Sequence, residues 1–146
     1  MNLEGKKIGF VFTGSFCTFK KTIEQIKKLI EIKDINITPI MSFNSYNLDS
    51  KFGKAEDFKN ELENLTGNNI IHTIPDAEPI GPKKMFDILI VAPCSGNTIA
   101  KLANDIIDTP ATMAVKSHLR NDRPVVIAIS TNNALSGAAE NIRKIT

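Results

Sequence analysis

The sequence contains no tryptophan, one tyrosine, two cysteines and two histidines, and it has no long apolar run. Its longest apolar run, residues 88–93, is far shorter than the roughly 20 residues that a membrane helix needs. The amino-terminal stretch MNLEGKKIGF lacks the long apolar segment and the cleavage site of a signal peptide. These absences predict a cytoplasmic protein without a membrane segment.

The few cysteines and histidines also limit the chemistry. Cys17 and Cys94 cannot supply the disulfide framework of a small secreted domain. His72 and His118 are far from each other and from both cysteines, so no spacing is typical of a metal site. We therefore expect no metal. We expect Cys94, which follows a proline at a strand end, to be a packing residue rather than a reactive thiol.

The charge is nearly balanced, with a net charge of +2. The basic residues are scattered and form no stripe with interleaved aromatics, which argues against nucleic acid as a partner. Hydrophobic residues make up 42% and charged residues 23% of 146 residues. These values are typical of one ordered domain with a hydrophobic core.

Along the chain, segments with the hydrophobic pattern of a β-strand alternate with segments that have the pattern of an amphipathic helix. Short β-rich runs are typical of strands at residues 6–12, 35–42, 69–74, 85–92 and 124–130. Amphipathic or capped stretches indicate helices at residues 17–34, 53–67, 97–104, 110–119 and 136–145. Residues 75–84, rich in proline, are predicted to be a loop. The alternation predicts an α/β fold with three layers, in which a Rossmann-like (flavodoxin-like) parallel sheet of five or six strands has helices on both faces.

Small and polar residues follow four of these strands, at 13–15, 41–42, 93–98 and 130–133. Ligands of open parallel sheets bind outside the carboxyl ends of the strands. Any one such loop is more often a turn or a helix cap. All four together favour a nucleotide or phosphate ligand, held in part by backbone N–H groups. Neither a dinucleotide fingerprint nor a P-loop is present.

The stretch DILIVAPCSGNTIAKLANDIIDTPAT, residues 87–112, resembles the signature of the flavoprotein family that includes flavin-containing cysteine decarboxylases and flavin prenyltransferases. GFVFTGSFC is similar to the first strand and phosphate loop of that family. The resemblance implies FMN as a cofactor and identifies no catalytic residue. The cofactor-binding residues that it implies are Thr13, Gly14, Ser15, Ser42, Ser95, Gly96, Asn97, Thr98 and Asn133.

Two departures separate the chain from the decarboxylases of this family. Those enzymes carry P-x-M-N-x-x-M after the fifth strand, whereas residues 130–136 read STNNALS and match only at Asn133. Their catalytic histidine lies shortly before the fourth strand. His72 is the candidate here, but the stretch 75–84 separates it from that strand, and a structural or surface role is the simpler interpretation.

Over its whole length the chain resembles the family of dipicolinate synthase B subunits. The resemblance implies oxidation of a dihydrodipicolinate-type precursor to pyridine-2,6-dicarboxylate during sporulation, together with a separate A subunit. It also implies a small dicarboxylate substrate and a homo-oligomer. Because members of that family are longer, we expect residues 1–146 to be a single domain truncated at its C-terminus. A flavin-dependent decarboxylase or prenyltransferase is one alternative, and a non-catalytic scaffold subunit with a vestigial flavin or phosphate pocket is another.

Three individual residues carry further expectations. Asn97 is the strongest candidate for orienting a flavin or substrate group, and its structural alternative is the N-cap of a helix. Lys101, in the helix that follows, is expected to be solvated. His118 lies at the end of a helix, where a positive charge suits the helix dipole.

Overall fold

The computed structural model describes residues 2–146, which form one parallel sheet of four strands in the order β2-β1-β3-β4. The strands are β1 (Lys7–Phe12), β2 (Asn36–Met41), β3 (Ile88–Cys94) and β4 (Val125–Ile129). The predicted α/β class and parallel pairing are confirmed. The predicted count of five or six strands is wrong, because residues 2–146 contribute four to the sheet.

Within residues 2–146, seven α-helices accompany the sheet, and they lie on both of its faces. They are α1 (Phe19–Leu29), α2 (Phe43–Asn47), α3 (Ala55–Thr66), α4 (Ile74–Ala77), α5 (Gly96–Ala103), α6 (Pro110–Leu119) and α7 (Ala139–Ile145). Helix α3 ends at Gly67, whose φ of 71° is left-handed, as the sequence predicts for a glycine C-cap.

One face of the sheet packs against α1 and α3 through aromatic side chains. The Phe12 and Phe19 rings meet edge to face with centroids 5.4 Å apart, and Phe58 meets Phe19 at 5.0 Å. Full burial of a phenylalanine side chain stabilises a fold by about 1.5–3 kcal/mol. This aromatic cluster therefore fixes α1 beneath the loop that follows β1.

The opposite face packs against α4, α5, α6 and α7 through smaller side chains. Val11 of β1 and Leu89 of β3 are fully buried there, beside Ala114 of α6 and Ile99 of α5. Because parallel strands are buried on both faces, they carry nearly continuous apolar runs. The hydrophobic clusters on the two faces of the sheet enclose β1 and β3, whose carboxyl ends lie side by side.

Two segments between β2 and β3 differ from the prediction. Residues 69–74 are not a strand, because the pairing consists of the single bridge between Ile40 and Ile71. Residues 75–84 are not simply a loop, because α4 and a turn of 3-10 helix (Glu78–Ile80) lie there. Proline occupies the first turn of both, where its missing N–H costs nothing.

The two edges of the sheet differ in how they are covered. At β2, Pro39 offers no N–H, Asn68 Nδ2 donates to Ile37 O at 2.7 Å, and Ile71 N donates to Pro39 O at 3.0 Å. At β4, no further strand pairs with the outer edge within residues 2–146, and Val126 is 53% exposed. In that same part of the chain, no helix has both the length and the apolar character needed to cross a membrane.

Candidate functional site

The loops that follow β1 and β3 are joined by Thr13, which is fully buried. Its hydroxyl donates to Pro93 O at 2.6 Å and accepts from the Ser95 backbone N–H at 2.9 Å. Both hydrogen-bonding capacities of the hydroxyl are thus used inside the protein. Thr13 therefore positions the two loops, and its side chain presents no free group to a ligand.

Serine hydroxyls cap two of the helices that follow strands at this edge of the sheet, α2 and α5. Ser95 Oγ accepts from the Thr98 N–H at 3.2 Å at the start of α5, and Ser42 Oγ accepts from the Ser45 N–H at 3.2 Å at the start of α2. Serine is a favoured N-cap because its oxygen satisfies a helix N–H that has no partner in the helix. The alternative interpretation of Asn97 as the N-cap is wrong, since Asn97 lies inside α5 and its side chain is exposed.

The loop after β4 also reaches the site. Ser15 Oγ donates to Ser130 O at 2.8 Å, which ties the β1 loop to the β4 loop. A Cβ atom at Gly96 would lie 2.8 Å from Thr131 Oγ1, closer than real Cβ atoms approach. Glycine at position 96 therefore lets the β3 and β4 loops meet, and three strand ends converge.

Two cavities flank Gly14 at the place where these loops meet. We call the cavity of about 470 Å³ the wide lobe; it includes Phe16, Cys17, Phe52 and residues 130–132 in its lining. We call the cavity of about 300 Å³ the polar lobe. Its lining includes Ser42, Asn44, Ser95, Asn97, Thr98, Lys101, Asp108 and Thr109.

Lys101 is the only cationic residue among those that line the polar lobe within residues 2–146. Its Nζ lies 2.9 Å from Asp108 Oδ1, and its side chain is 22% exposed. The expectation of a solvated lysine is wrong, because α5 directs this side chain back towards the turn before α6. The ion pair links two parts of the signature stretch, Lys101 on α5 and Asp108 beside the α6 N-cap.

Most of the residues predicted to bind the cofactor lie together. Gly14, Ser15, Ser42, Ser95, Gly96, Asn97 and Thr98 line one or both lobes. Thr13 lies behind them, and Asn133 lines neither lobe. The Asn133 N–H instead donates to Thr131 Oγ1 at 3.2 Å, within its own loop.

Sequence reasoning missed several residues of the site. Phe16 and Cys17 directly follow the first strand-end loop, so extending that loop would have included them. Asn44 follows the Ser42 cap in the same way. Lys51 and Phe52 come from the turn between α2 and α3, and no pattern in the sequence places that turn over the β1 loop.

The other cysteine and both histidines lie outside the two lobes. Cys94 is fully buried, and burial raises the pKa of its thiol to about 12, which confirms a packing role. His118 is also buried, with Nε2 3.1 Å from Pro124 O, and burial lowers its pKa. The expected capping role of His118 at the helix end is wrong, because its ring contacts Pro124 O beyond the end of α6. His72 stacks on Tyr46 with ring centroids 4.0 Å apart.

A larger cavity of about 760 Å³ lies between α5, α6 and β4. Its lining is mostly apolar and includes Leu102, Val115 and Ile127. None of the strand-end residues predicted to bind a cofactor takes part in it. Within residues 2–146, no cluster of three or more histidine, cysteine or acidic side chains could hold a metal ion. The residues predicted to bind a cofactor are therefore concentrated at the two lobes around Gly14, whereas six charged residues are among those that line the larger cavity.

Two dipicolinate synthase B subunits are similar to this chain, one in sequence and one in sequence and structure. The chain is 40% identical over 144 residues to the B subunit of dipicolinate synthase from Bacillus subtilis (strain 168), covering 99% of this chain and 72% of that protein. The crystal structure of the dipicolinate synthase B subunit from Bacillus halodurans C superposes with a TM-score of 0.86 at 38% identity, covering 99% and 73% of the two chains.

A more distant structure has the same fold. It is the dodecameric, FMN-dependent Ubix-like decarboxylase of Escherichia coli O157:H7, with a TM-score of 0.76 at 19% identity, covering 95% of this chain and 74% of that one. The family model described as Flavoprotein matches residues 1–145. With the three convergent strand ends and the signature stretch, this match shows that the chain belongs to the flavoprotein family.

Proposed function

We propose that the chain binds FMN across the two lobes and acts as the B subunit of a dipicolinate synthase. The observation that carries the proposal is the convergence of the loops after β1, β3 and β4 on two cavities that share Gly14 in their lining. It is supported by the 40% identity to a dipicolinate synthase B subunit over nearly the whole chain. The E. coli structure with this fold is FMN-dependent, which supports the choice of flavin.

The chemistry of the two lobes fits the two ends of FMN. The polar lobe offers hydroxyl and amide groups and one ammonium, which are donors suited to a phosphate. The wide lobe offers Phe16 and Phe52, aromatic side chains against which a flat ring can pack. Gly14 lines both lobes. We therefore assign the phosphate to the polar lobe and the ring to the wide lobe.

The proposed reaction oxidises a dihydrodipicolinate-type dicarboxylate to pyridine-2,6-dicarboxylate. FMN, when bound, would supply an acceptor for the hydride equivalent, and formation of an aromatic ring favours the products. The residues of this chain hold and orient the ligands: Thr13 fixes the loops, Ser95 and Thr98 line the anionic end, and Asn97 contributes an exposed amide. We assign the further catalytic groups to a separate A subunit.

The alternatives make different demands on the site. The decarboxylase alternative requires a histidine near the substrate, but His72 stacks on Tyr46 and lines neither lobe. The scaffold alternative requires only an empty or phosphate-filled pocket and predicts full activity without flavin. We propose in addition that the chain assembles into a homo-oligomer, as the dodecameric E. coli structure does.

The test is to purify the chain alone and together with its A subunit. Visible flavin absorption and FMN-dependent dipicolinate formation by the pair are the expected results. Full dipicolinate formation by a flavin-free pair would replace the flavin proposal with the scaffold alternative. Activity of the A subunit that does not change when this chain is left out would overturn the subunit proposal. Light scattering of the same samples tests the homo-oligomer.

A further inference from the structure

Lys101 lies one turn after Asn97 on α5, so the two side chains lie on the same face of the helix. Both line the polar lobe. The Lys101 ammonium is held by Asp108 Oδ1 at 2.9 Å, and within residues 2–146 no second acceptor lies within hydrogen-bond distance of it. An ammonium carries three N–H donors. Two of them therefore remain for water or for a ligand in the lobe.

The charge of the lobe is concentrated on this pair. Among the described residues that line the lobe, Asp108 is the only carboxylate and Lys101 the only cation. The other polar side chains are neutral: Ser42, Asn44, Ser95, Asn97, Thr98 and Thr109. Asp108 is the more exposed partner, at 58% against 22% for Lys101. Lys101 is therefore the less exposed partner, and it lines the larger apolar cavity as well as the polar lobe.

An ion pair with one exposed partner adds little to the stability of a fold. Its geometry has a clearer consequence for binding, because the carboxylate limits the positions of a long, flexible side chain. An ammonium that is held in place loses less side-chain entropy when it binds an anion. The neutral donors around it can then share the same anionic group.

We propose that Lys101 binds an anionic group of the ligand in the polar lobe, either a substrate carboxylate or the flavin phosphate, and that Asp108 is its positioning partner. The choice of these two ligands rests on the proposed function. The binding of an anion by Lys101 does not, because it is argued from the N–H donors that Asp108 leaves free and from the neutral donors around them. The proposal assigns the two residues different roles, which a merely structural ion pair would not have.

The test compares Lys101→Met and Asp108→Asn in the full chain, with Lys28→Met as the matched control. Lys28 is exposed in the last turn of α1, outside both lobes. The probes are FMN, riboflavin, pyridine-2,6-dicarboxylate and inorganic phosphate, each followed by calorimetry and by the shift in Tm. Lys101→Met should weaken binding of an anionic probe about tenfold or more, the usual effect of losing a charge-assisted hydrogen bond. Asp108→Asn should change it less than about threefold, because the cation remains.

The pattern across the probes identifies the source of the anion. Loss of FMN affinity with unchanged riboflavin affinity would place the flavin phosphate on Lys101. Loss of dicarboxylate affinity with unchanged FMN affinity would place a substrate carboxylate there. If the wild-type chain binds neither organic ligand, the proposed function fails. A phosphate-induced rise in Tm that Lys101→Met abolishes would still support the anion site.

Two results would overturn the proposal. The first is a Lys101→Met variant that behaves like wild type with all four probes, including the case in which wild type responds to none. The second is an equal loss of binding in Lys101→Met and Asp108→Asn, since a structural cross-link between α5 and the α6 N-cap depends on both partners alike. Loss of binding in Lys28→Met would also contradict the proposal, because it would show that the affinity depends on the net charge of the protein and not on a cation in the polar lobe.

Discussion

The Thr13 hydroxyl accepts a hydrogen bond from the backbone N–H of Ser95 at 2.9 Å, although the two residues are 82 positions apart in the chain. Because the same hydroxyl donates to Pro93 O at 2.6 Å, it binds both sides of the turn that leads from β3 into α5. The Ser95 cap and both lobes lie beside this contact. Thr13 therefore couples the stability of the fold to the shape of the site.

Replacing Thr13 by valine keeps the shape of the side chain and removes the hydroxyl. The Ser95 N–H then loses its acceptor, whereas Pro93 O still accepts from the Thr13 N–H at 3.3 Å. An unsatisfied buried group costs about 1–3 kcal/mol. We expect Thr13→Val to lower the free energy of unfolding by about this amount in urea denaturation and to weaken FMN binding. Thr13→Ser keeps the hydroxyl and loses one methyl group, so it should cost about 1 kcal/mol or less.

The comparison between the two Thr13 variants separates packing from hydrogen bonding. A loss in Thr13→Ser as large as that in Thr13→Val would show that packing of the methyl group matters as much as the hydrogen bonds of the hydroxyl. A Thr13→Val variant that unfolds like wild type and binds FMN equally well would show that the hydroxyl does not organise the site.

The sheet was predictable wherever an apolar run was long and its neighbours were clear helices. β3 meets that condition, because parallel strands buried by helices require apolar residues in succession. β4 was predictable from its apolar run alone, since none of its residues is fully buried. Residues 69–74 look similar in sequence, but they make a single bridge to β2 at Ile71. The helix α2 has no apolar period and forms through its Ser42 cap, so periodicity could not reveal it. Pro75 and Pro79 begin helical turns, although proline alone indicates a loop.

The site was predictable as far as it is made of strand ends. Ser15, Ser95 and Gly96 follow strands, and the carboxyl ends of parallel strands meet at one edge. Phe52 was not predictable, because its place in the wide lobe depends on how the turn between α2 and α3 folds back. The role of Lys101 depends in the same way on Asp108, whose approach is set by the turn between α5 and α6.

The two cysteines should differ sharply in reactivity. Cys17 is exposed and lines the wide lobe, whereas Cys94 is fully buried and burial raises the pKa of its thiol to about 12. Because the thiolate is the reactive form, a thiol reagent at neutral pH should modify Cys17 in the native protein and Cys94 only after unfolding. Mass spectrometry of the labelled peptides measures both.

The same labelling tests the position of the flavin ring. If the ring occupies the wide lobe, FMN should slow the modification of Cys17 and leave that of an added exposed cysteine unchanged. Lys28→Cys provides this reference, because residue 28 lies outside both lobes. Labelling of Cys17 at the same rate with and without FMN would contradict the assignment of the ring to this lobe.

Acid should destabilise the fold through His118. Burial lowers the pKa of this histidine, the contact with Pro124 O partly opposes that effect, and the positive charge of Arg123 adds to it. The unfolded chain therefore binds a proton more readily than the folded chain does, and stability rises with pH. The stabilisation is present above about pH 6.5, the ordinary value for histidine, and is lost as the pH falls through the lower folded pKa.

The matched variant is His118→Gln, which retains an N–H for Pro124 O and cannot take up a proton. Urea unfolding at about pH 7.5 and about pH 5.5 should show a larger loss of stability on acidification for wild type than for the variant. Identical losses would show that the buried histidine does not contribute to the pH dependence.

The open edge of β4 should make the chain prone to self-association. β4 reads VVIAI, carries no charge, and has no partner on its outer edge within residues 2–146. Natural sheets often protect such an edge with lysine or proline, as Pro39 does at β2. Val126→Lys places a charge on an exposed strand position, so it should reduce association while changing the free energy of unfolding by less than about 1 kcal/mol. Sedimentation velocity at increasing protein concentration measures the association.

Leu135→Lys is the matched control for this variant. Leu135 is 99% exposed, so the substitution adds the same charge and removes an apolar side chain, but it lies in a turn outside the sheet. We expect it to leave association nearly unchanged, because its backbone offers no edge for a new strand. An equal reduction by both variants would assign the association to surface hydrophobicity or net charge. A Val126→Lys variant that associates like wild type would show that the β4 edge is not the surface involved.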